Sequence, residues 1–507
     1  MIGTNLESSK YNYISAQRMG LYDFGMPELN QATGNQLVNG SHTHWAVAGF
    51  FGRINYAYKD RYLLEMNGRY DGSSKFPKND RFGFFPSVSV GYRISEEDFM
   101  KSLYPALSSF KFRGSYGTIG YQNVSNNMYL ETMKPNASYS WIIDGQQTVA
   151  MGTPKVVSPS LGWEKVTTID VGFDARLWDD KIGVTFDWYK RTTSDLLTEK
   201  TVPLTLGIEG PRRNFGELET PGWELAVDFR HQFSNGLTII LGGQLTDYYT
   251  KIKKWDENTK IPVGGNDGRG WAFESQYYKE GMRLGDIWGL KVDRLLQESD
   301  FENGQLKQGL PNQDNVFGSI DGGLQPGDIL YKDLDGDGKI IRGTSVDEPG
   351  DKTVIGNMFP RYQYRFTIGA EFKGFDLNMF FQGVGKRNLW AGGNQVLPGY
   401  TSGEPYYKGA EDYWTPENPN AFYPRPTIYG QGAKWNYEVN DRYILNMAYL
   451  RCKTLTVGYT FPKPLIEKAF LKTLRVYFTA ENLFTFDNVK PAIDPEIDIR
   501  YITNANG

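Results

Sequence analysis

The chain has 507 residues, and 55 Lys plus Arg against 59 Asp plus Glu leave a net charge of −4. That near-balance excludes a strongly basic nucleic-acid-binding surface, and 22% charged residues beside 15% aromatics exclude a disordered polyelectrolyte. No run of about 18 apolar residues exists, so a conventional transmembrane helix is excluded. A strand-built membrane protein is not excluded, because only alternate residues of each strand meet lipid.

In chain order, residues 1–44 are polar and lack sustained periodicity, so they are expected to form an extracellular loop segment. The opening MIGTNLESSKYNY has no basic start, apolar core or small-residue cleavage site, so an export signal is expected upstream. His42 and His44 could share a strand face, but no third metal ligand is evident. From Trp45 to Ile94 three strands follow one another. In the second, Tyr62, Leu64, Met66 and Tyr70 oppose Glu65, Asn67, Arg69 and Asp71, one apolar face backed by one charged face. Ser95–Leu107 reads as a short helical connector, and Phe110, Phe112 and Tyr116 mark a further strand.

After a long polar loop, Ile169–Leu177 and Ile182–Trp188 read as a hairpin turning at Asp179-Asp180-Lys181. Trp223–Phe229 and Leu237–Leu245 form another around Asn235-Gly236, a strong turn signal. Residues 251–360 lack a sustained strand pattern apart from a short one near Ile287–Leu295. The cleanest alternation sets Tyr362, Tyr364, Phe366 and Ile368 against Gln363, Arg365 and Thr367, and continues past Gly374 through Phe381. A second long aromatic-rich loop covers 387–448. Two last strands run through Leu455–Tyr459 and Leu474–Ala480, and the lone Cys452, beside the first of them, excludes an internal disulfide framework.

About twelve strands result, with connections that alternate short and long. Outer-membrane barrels place short turns in the periplasm and long loops outside, with the apolar parity on lipid and the polar parity on a wet lumen. Tyr56, Tyr58, Tyr62, Trp178 and Trp188 would then sit in interfacial girdles. Glu65, Arg69, Asp71, Arg93, Arg113, Asp170, Asp174 and Arg176 would line the lumen and pair with one another. A barrel chain starts and finishes in the periplasm, so strands are expected to be missing at both ends. The expected fold is all-β, an antiparallel transmembrane β-barrel that is incomplete. A soluble all-β protein that binds carbohydrate at the cell surface is the alternative, and it would bury the apolar parity under a second sheet. G-x-S-x-G, H-E-x-x-H and Walker patterns are absent, so no enzyme is expected.

Several long motifs occur in order between residues 45 and 495: GRINYAYKDRYLLEMNGRYDGSSKF, FGFFPSVSVGYRISEEDFM, LGWEKVTTIDVGFDARLW, PGDILYKDLDGDGKI, WTPENPN, YLRCKTLTVGYTFP and TAENLFTF. Together they resemble SusC-like TonB-dependent transporters. The resemblance implies the C-terminal part of a 22-stranded outer-membrane barrel over residues 45–484. Residues 485–507 would be an extracellular loop before a missing last strand. It also implies a SusD-like surface lipoprotein as partner, energy from TonB through a plug segment that this chain lacks, and oligosaccharide or peptide substrates.

Two loop features carry candidate sites. Asp333, Asp335 and Asp337 have the D-x-D-x-D-G spacing of a calcium loop, where alternate carboxylates converge on one Ca²⁺. Thr344 stands where the bidentate Glu would be, and Asp347, Glu348 or Asp351 could substitute; the bland alternative is a tight turn whose carboxylates cap backbone N–H groups. In the loop 387–448, Trp390, Tyr406, Tyr407, Tyr413, Trp414, Tyr423 and Trp435 offer aromatic faces for sugar rings or a protein partner. Packing of the loop on itself would use the same residues.

Overall fold

The computed structural model describes the chain apart from residues 23–24, 26, 134, 137–141, 144, 148–149, 159–160, 201, 208–209, 256–278, 318–322, 344–346, 392, 394, 401–405, 428–435, 491–492 and 498–507. The strands are β1 (Ile2–Arg18), β2 (Gln36–Tyr58), β3 (Tyr62–Ser73), β4 (Phe82–Arg93), β5 (Leu107–Tyr121), β6 (Glu164–Leu177) and β7 (Ile182–Glu199). They continue with β8 (Arg212–Gln232), β9 (Thr238–Tyr248), β10 (Lys251–Lys254), β11 (Arg361–Phe372), β12 (Phe375–Lys386), β13 (Tyr449–Thr460) and β14 (Arg475–Asp487). All fourteen belong to one sheet, in which sequence neighbours pair; β10 lies off the main path against β8, so β11 follows β9. No helix among the described residues is long and apolar enough to cross a membrane.

The chain divides into two compact units. One holds Met1–Tyr92, Arg113–Asp170 and Arg191–Glu217; the other holds Arg93–Phe112, Val171–Lys190 and Leu218–Gly507.

Residues 1–44 are not a loop, which corrects the expectation from their polarity. Ile2–Arg18 is a strand, paired with β2 from Ile2↔Gly52 to Arg18↔Gln36. Neither parity of β1 is consistently apolar, so the period-2 signal is missing even though the ladder is complete. From its first pair with Gly52, β1 runs toward the 19–35 connection and adds one strand to those read from the alternation. At the other end β14 runs on to Asp487, past the expected boundary at residue 484.

The short turns explain themselves. Lys59 and Asp60 have φ of 52° and 53°, and Lys373-Gly374 has 49° and 89°. Two-residue hairpins need left-handed residues, because that twist matches the flanking strands.

The two parities separate as expected. In the first unit Arg53 Nη2 donates to Glu65 at 2.6 Å, and Arg69 grips Asp71 through two nitrogens at 2.8 and 2.9 Å. Phe50, Ile54, Met66 and Tyr70, on the other parity, are exposed. In the second unit Phe366 stacks on Phe381 at 4.5 Å, while Ile368 remains 38% exposed. That row is not sealed under another layer, which a soluble sandwich would require.

Two ion pairs in the second unit skip a strand. Arg176 of β6 meets Asp228 of β8 at 2.7 Å across Gly183 of β7. Asp376 of β12 meets Arg475 of β14 at 2.6 Å across Gly458 of β13. A Cβ on either glycine would fall within 2.6 Å of both partners. Glycine is required at both for close approach, and each pair lies near a short turn.

Candidate functional site

The connections 249–360 and 387–448 read as loops because their strands are only two to five residues long. Asp286–Gly289 pairs with Thr353–Asn357, Val292–Leu295 with Ile329–Tyr331, and Asn388–Leu389 with Leu445–Asn446. Between them lies a continuous apolar core that includes Ile287, Leu290, Phe317, Ile329, Trp390, Leu397, Tyr443 and Met447. The two loops thus fold as one packed body, and burial on this scale supplies what such short ladders cannot.

Buried polar side chains replace missing secondary structure in that body. Gln313 donates to the Ile329 carbonyl at 2.9 Å and accepts from the Tyr331 amide at 2.7 Å. Asn436 accepts from the Ile329 amide at 2.8 Å and donates to Asp328 at 2.9 Å. Asp328, 1% exposed, also accepts from Arg425 at 2.8 Å and from the Gln325 amide at 2.9 Å. A low-dielectric interior makes satisfied networks like this rigid and broken ones costly. The segment after β14 docks on the same unit: Arg451 pairs with Asp494 at 2.7 Å and Glu496 at 2.9 Å.

The structure divides the aromatic candidates. Trp390, Trp414 and Tyr423 are buried within the core. Trp414 donates from Nε1 to Gln297 at 3.3 Å, and the Tyr423 hydroxyl donates to the Val396 carbonyl at 3.2 Å. These three are packing residues, which corrects their assignment to a contact surface: the polar tips of Trp414 and Tyr423 are used internally, and the faces of all three are covered. Tyr406, Tyr407 and Tyr413 are 43%, 46% and 39% exposed and keep free aromatic surface. Trp435 lies outside the described residues.

The acidic loop is organised by backbone amides. Asp333 accepts from Gly336 at 2.7 Å and Gly338 at 2.8 Å, Asp335 from Asp337 at 3.1 Å, and Asp337 from Lys339 at 2.8 Å. Asp351 accepts from Leu334 and Ile341, each at 2.7 Å. Asp333, Asp335 and Asp351 bring ligand oxygens within 4.8 Å of one another; of the three carboxylates offered in place of the position-12 Glu, Asp351 is the one in this group, and Asp337 is outside it. Thr344 lies outside the described residues. The Gly338 amide, then Gly336, hold the Asp333 carboxyl below the usual carboxylate range, whereas burial pushes Asp351 up.

The TonB dependent receptor-like, β-barrel family matches residues 2–483, and the chain belongs to that family. It is an outer-membrane β-barrel protein. A TonB-dependent receptor of Formosa agariphila is 28% identical over 90% of this chain and 43% of its own length. The TonB-dependent receptor SusC of Bacteroides thetaiotaomicron is 28% identical over 90% of this chain and 42% of its own. The RagAB peptide importer in its open-open state superposes with a TM-score of 0.73 at 20% identity, covering 97% of this chain and 49% of that one. The chain spans about half the length of the relatives it matches.

Proposed function

We propose that this chain forms part of the wall and outer loops of a TonB-dependent transporter that imports oligosaccharides or peptides across the outer membrane. The transporter would act as the barrel of a SusC/SusD-type complex, with a surface lipoprotein as lid and TonB supplying energy through a plug. The observation that carries this reading is the two-faced sheet in a family of barrel receptors: exposed apolar rows on one parity, internally paired ions on the other. The resemblance to SusC-like transporters suggests both substrate classes, and a structural neighbour that is a peptide importer is in keeping with the second. Tyr406, Tyr407 and Tyr413 are the side chains we assign to partner or substrate contact, because flat exposed rings suit either. No catalytic step is assigned.

The test deletes the gene of the full-length receptor and follows uptake of oligosaccharides and of peptides, with and without TonB. Uptake of one class should disappear in both deletions and return on complementation. Undiminished uptake with lost surface binding would instead favour a carbohydrate-binding surface protein.

We also propose that Asp333, Asp335 and Asp351 bind Ca²⁺ and stiffen the loop. A Ca²⁺ ion needs about six to eight oxygens, so carbonyls and waters must complete the shell. Terbium luminescence should rise on titration and be competed by Ca²⁺, and Asp335→Ala should abolish it. Absence of sensitised emission in the parent protein would leave the loop as an amide-capped turn.

A further inference from the structure

A cluster of cations in the second unit gathers around Tyr249, just past the long-loop end of β9. Arg283, Arg361 and Lys251 lie over its ring, 4.6, 5.1 and 5.6 Å from the centroid. Arg361 is neutralised by Asp247, which it grips through two nitrogens. Lys190, on β7, is neutralised by Glu219 at 2.6 Å. No ion pair to Lys251, Lys253 or Arg283 occurs among the described residues. Asp286 takes the Arg283 amide at 3.3 Å, not its guanidinium, and its other oxygen takes Asn357.

The backbone fixes this arrangement. β10 pairs with β8 on one side, and on the other Lys251 bridges Arg283 antiparallel. The flanking amides carry the ladder bonds, Ile252 to the Met282 carbonyl and Leu284 to the Thr250 carbonyl, each at 2.9 Å. Lys251 and Arg283 are therefore a non-hydrogen-bonded pair, the kind whose side chains stand closest. Ile252, on the opposite parity, is fully buried and pins the strand. Like charges directly opposite one another destabilise a ladder. Beside the pair Lys253 is exposed, and a Cβ added at Gly281 would meet nothing within 4 Å, so the adjoining space is open. Tyr249 continues the parity of Leu241 and Leu245, and Asp247 lies opposite Trp223, so the cluster sits on the outer wall at the long-loop end, not in the lumen.

We propose that Lys251 and Arg283 bind a phosphate group between them, with the Tyr249 ring as the platform that holds both cations. A phosphate monoester carries a charge of about −1.5 to −2 at neutral pH, which matches the two cations left unneutralised. Its tetrahedral oxygens accept an arginine fork and an ammonium together, and an unfavourable like-charge pair becomes a bridged one. A carboxylate, planar and singly charged, would leave one cation unmet. A phosphorylated lipid headgroup beside the wall and a free phosphate ligand present the same chemistry to the site.

The test measures equilibrium binding of radiolabelled inorganic phosphate, and separately of radiolabelled lipid A with and without its phosphates, to the full-length receptor in neutral detergent. Saturable binding of inorganic phosphate, of phosphorylated lipid A or of both is expected, several-fold weaker at high salt. It should also be several-fold weaker in Lys251→Gln and in Arg283→Gln. Lys307→Gln, which removes an exposed lysine elsewhere in the unit, should bind as the parent does. Lys251→Arg, which keeps the charge, should also bind as the parent does, and so separates loss of the cation from loss of the fold. A loss seen with inorganic phosphate identifies a free ligand, and a loss seen with lipid A alone identifies a headgroup. The proposal is overturned if neither ligand binds, or if the two glutamine variants bind as well as the parent. It is equally overturned if lipid A stripped of its phosphates is retained as well, or if acetate competes as strongly as phosphate.

Discussion

Trp390→Ala is expected to open the loop body while leaving the sheet assembled. Trp390 is 2% exposed and lies in the core shared by both long loops. Removing a buried aromatic of this size costs about 3–5 kcal/mol, from lost transfer energy plus the cavity left behind. A body whose ladders are two to five residues long has little else to resist with, and a whole domain commonly holds only about 5–15 kcal/mol. The strands of the sheet draw on separate ladders, such as the eleven-residue register between β8 and β9. Limited proteolysis should therefore cut within 286–317, 406–427 and 436–447 in the variant and spare them in the parent, at unchanged heat resistance of the barrel. Tyr406→Ala is the control: at 43% exposure its loss should alter stability by about 0.5 kcal/mol or less, while binding at the loop surface falls. An unchanged cleavage pattern in Trp390→Ala would mean that the loops do not fold cooperatively.

That contrast shows what the sequence could reveal. Strands crossing the hydrocarbon were legible because lipid on one side and paired ions on the other impose a period of two, as at Tyr364–Ile368 against Arg365 and Thr367. The same strands outside the bilayer were not. β2 begins at Gln36 and β8 at Arg212, well ahead of Trp45 and Trp223, where the alternation begins, because water on both faces removes the pattern. β1 was missed for the same reason. In the loops, period gives no help, since Trp390 and Tyr406 sit in one aromatic-rich stretch and only the fold separates core from surface. The acidic motif was partly legible: spacing found Asp333 and Asp335 and left Asp347, Glu348 and Asp351 as equals, and only the backbone amides of Leu334 and Ile341 single out Asp351. Pairs such as Arg176–Asp228 needed the neighbouring strand order and a glycine between them.

Asp328→Ala is expected to be the most damaging single polar change in the loop body. The carboxylate receives Arg425, Asn436 and the Gln325 amide, and Asn436 in turn holds the Ile329 amide of a core strand. Removing one partner of a buried pair costs about 3–5 kcal/mol, chiefly because the other charge stays behind uncompensated. Arg425 retains 24% side-chain exposure, so water reclaims part of that charge, which places the loss at the lower end of the range. Asp328→Asn keeps the shape but turns an amide toward donors, and about 1–3 kcal/mol is expected for the donors left unmet. Adding Arg425→Met to Asp328→Asn should recover part of the loss, since the stranded cation is then gone. Chemical denaturation followed by loop fluorescence distinguishes the cases: a charge-centred network gives a double variant more stable than the sum of its parts. Strict additivity would mean that Asp328 acts only through Asn436 and the Gln325 turn, with Arg425 a bystander.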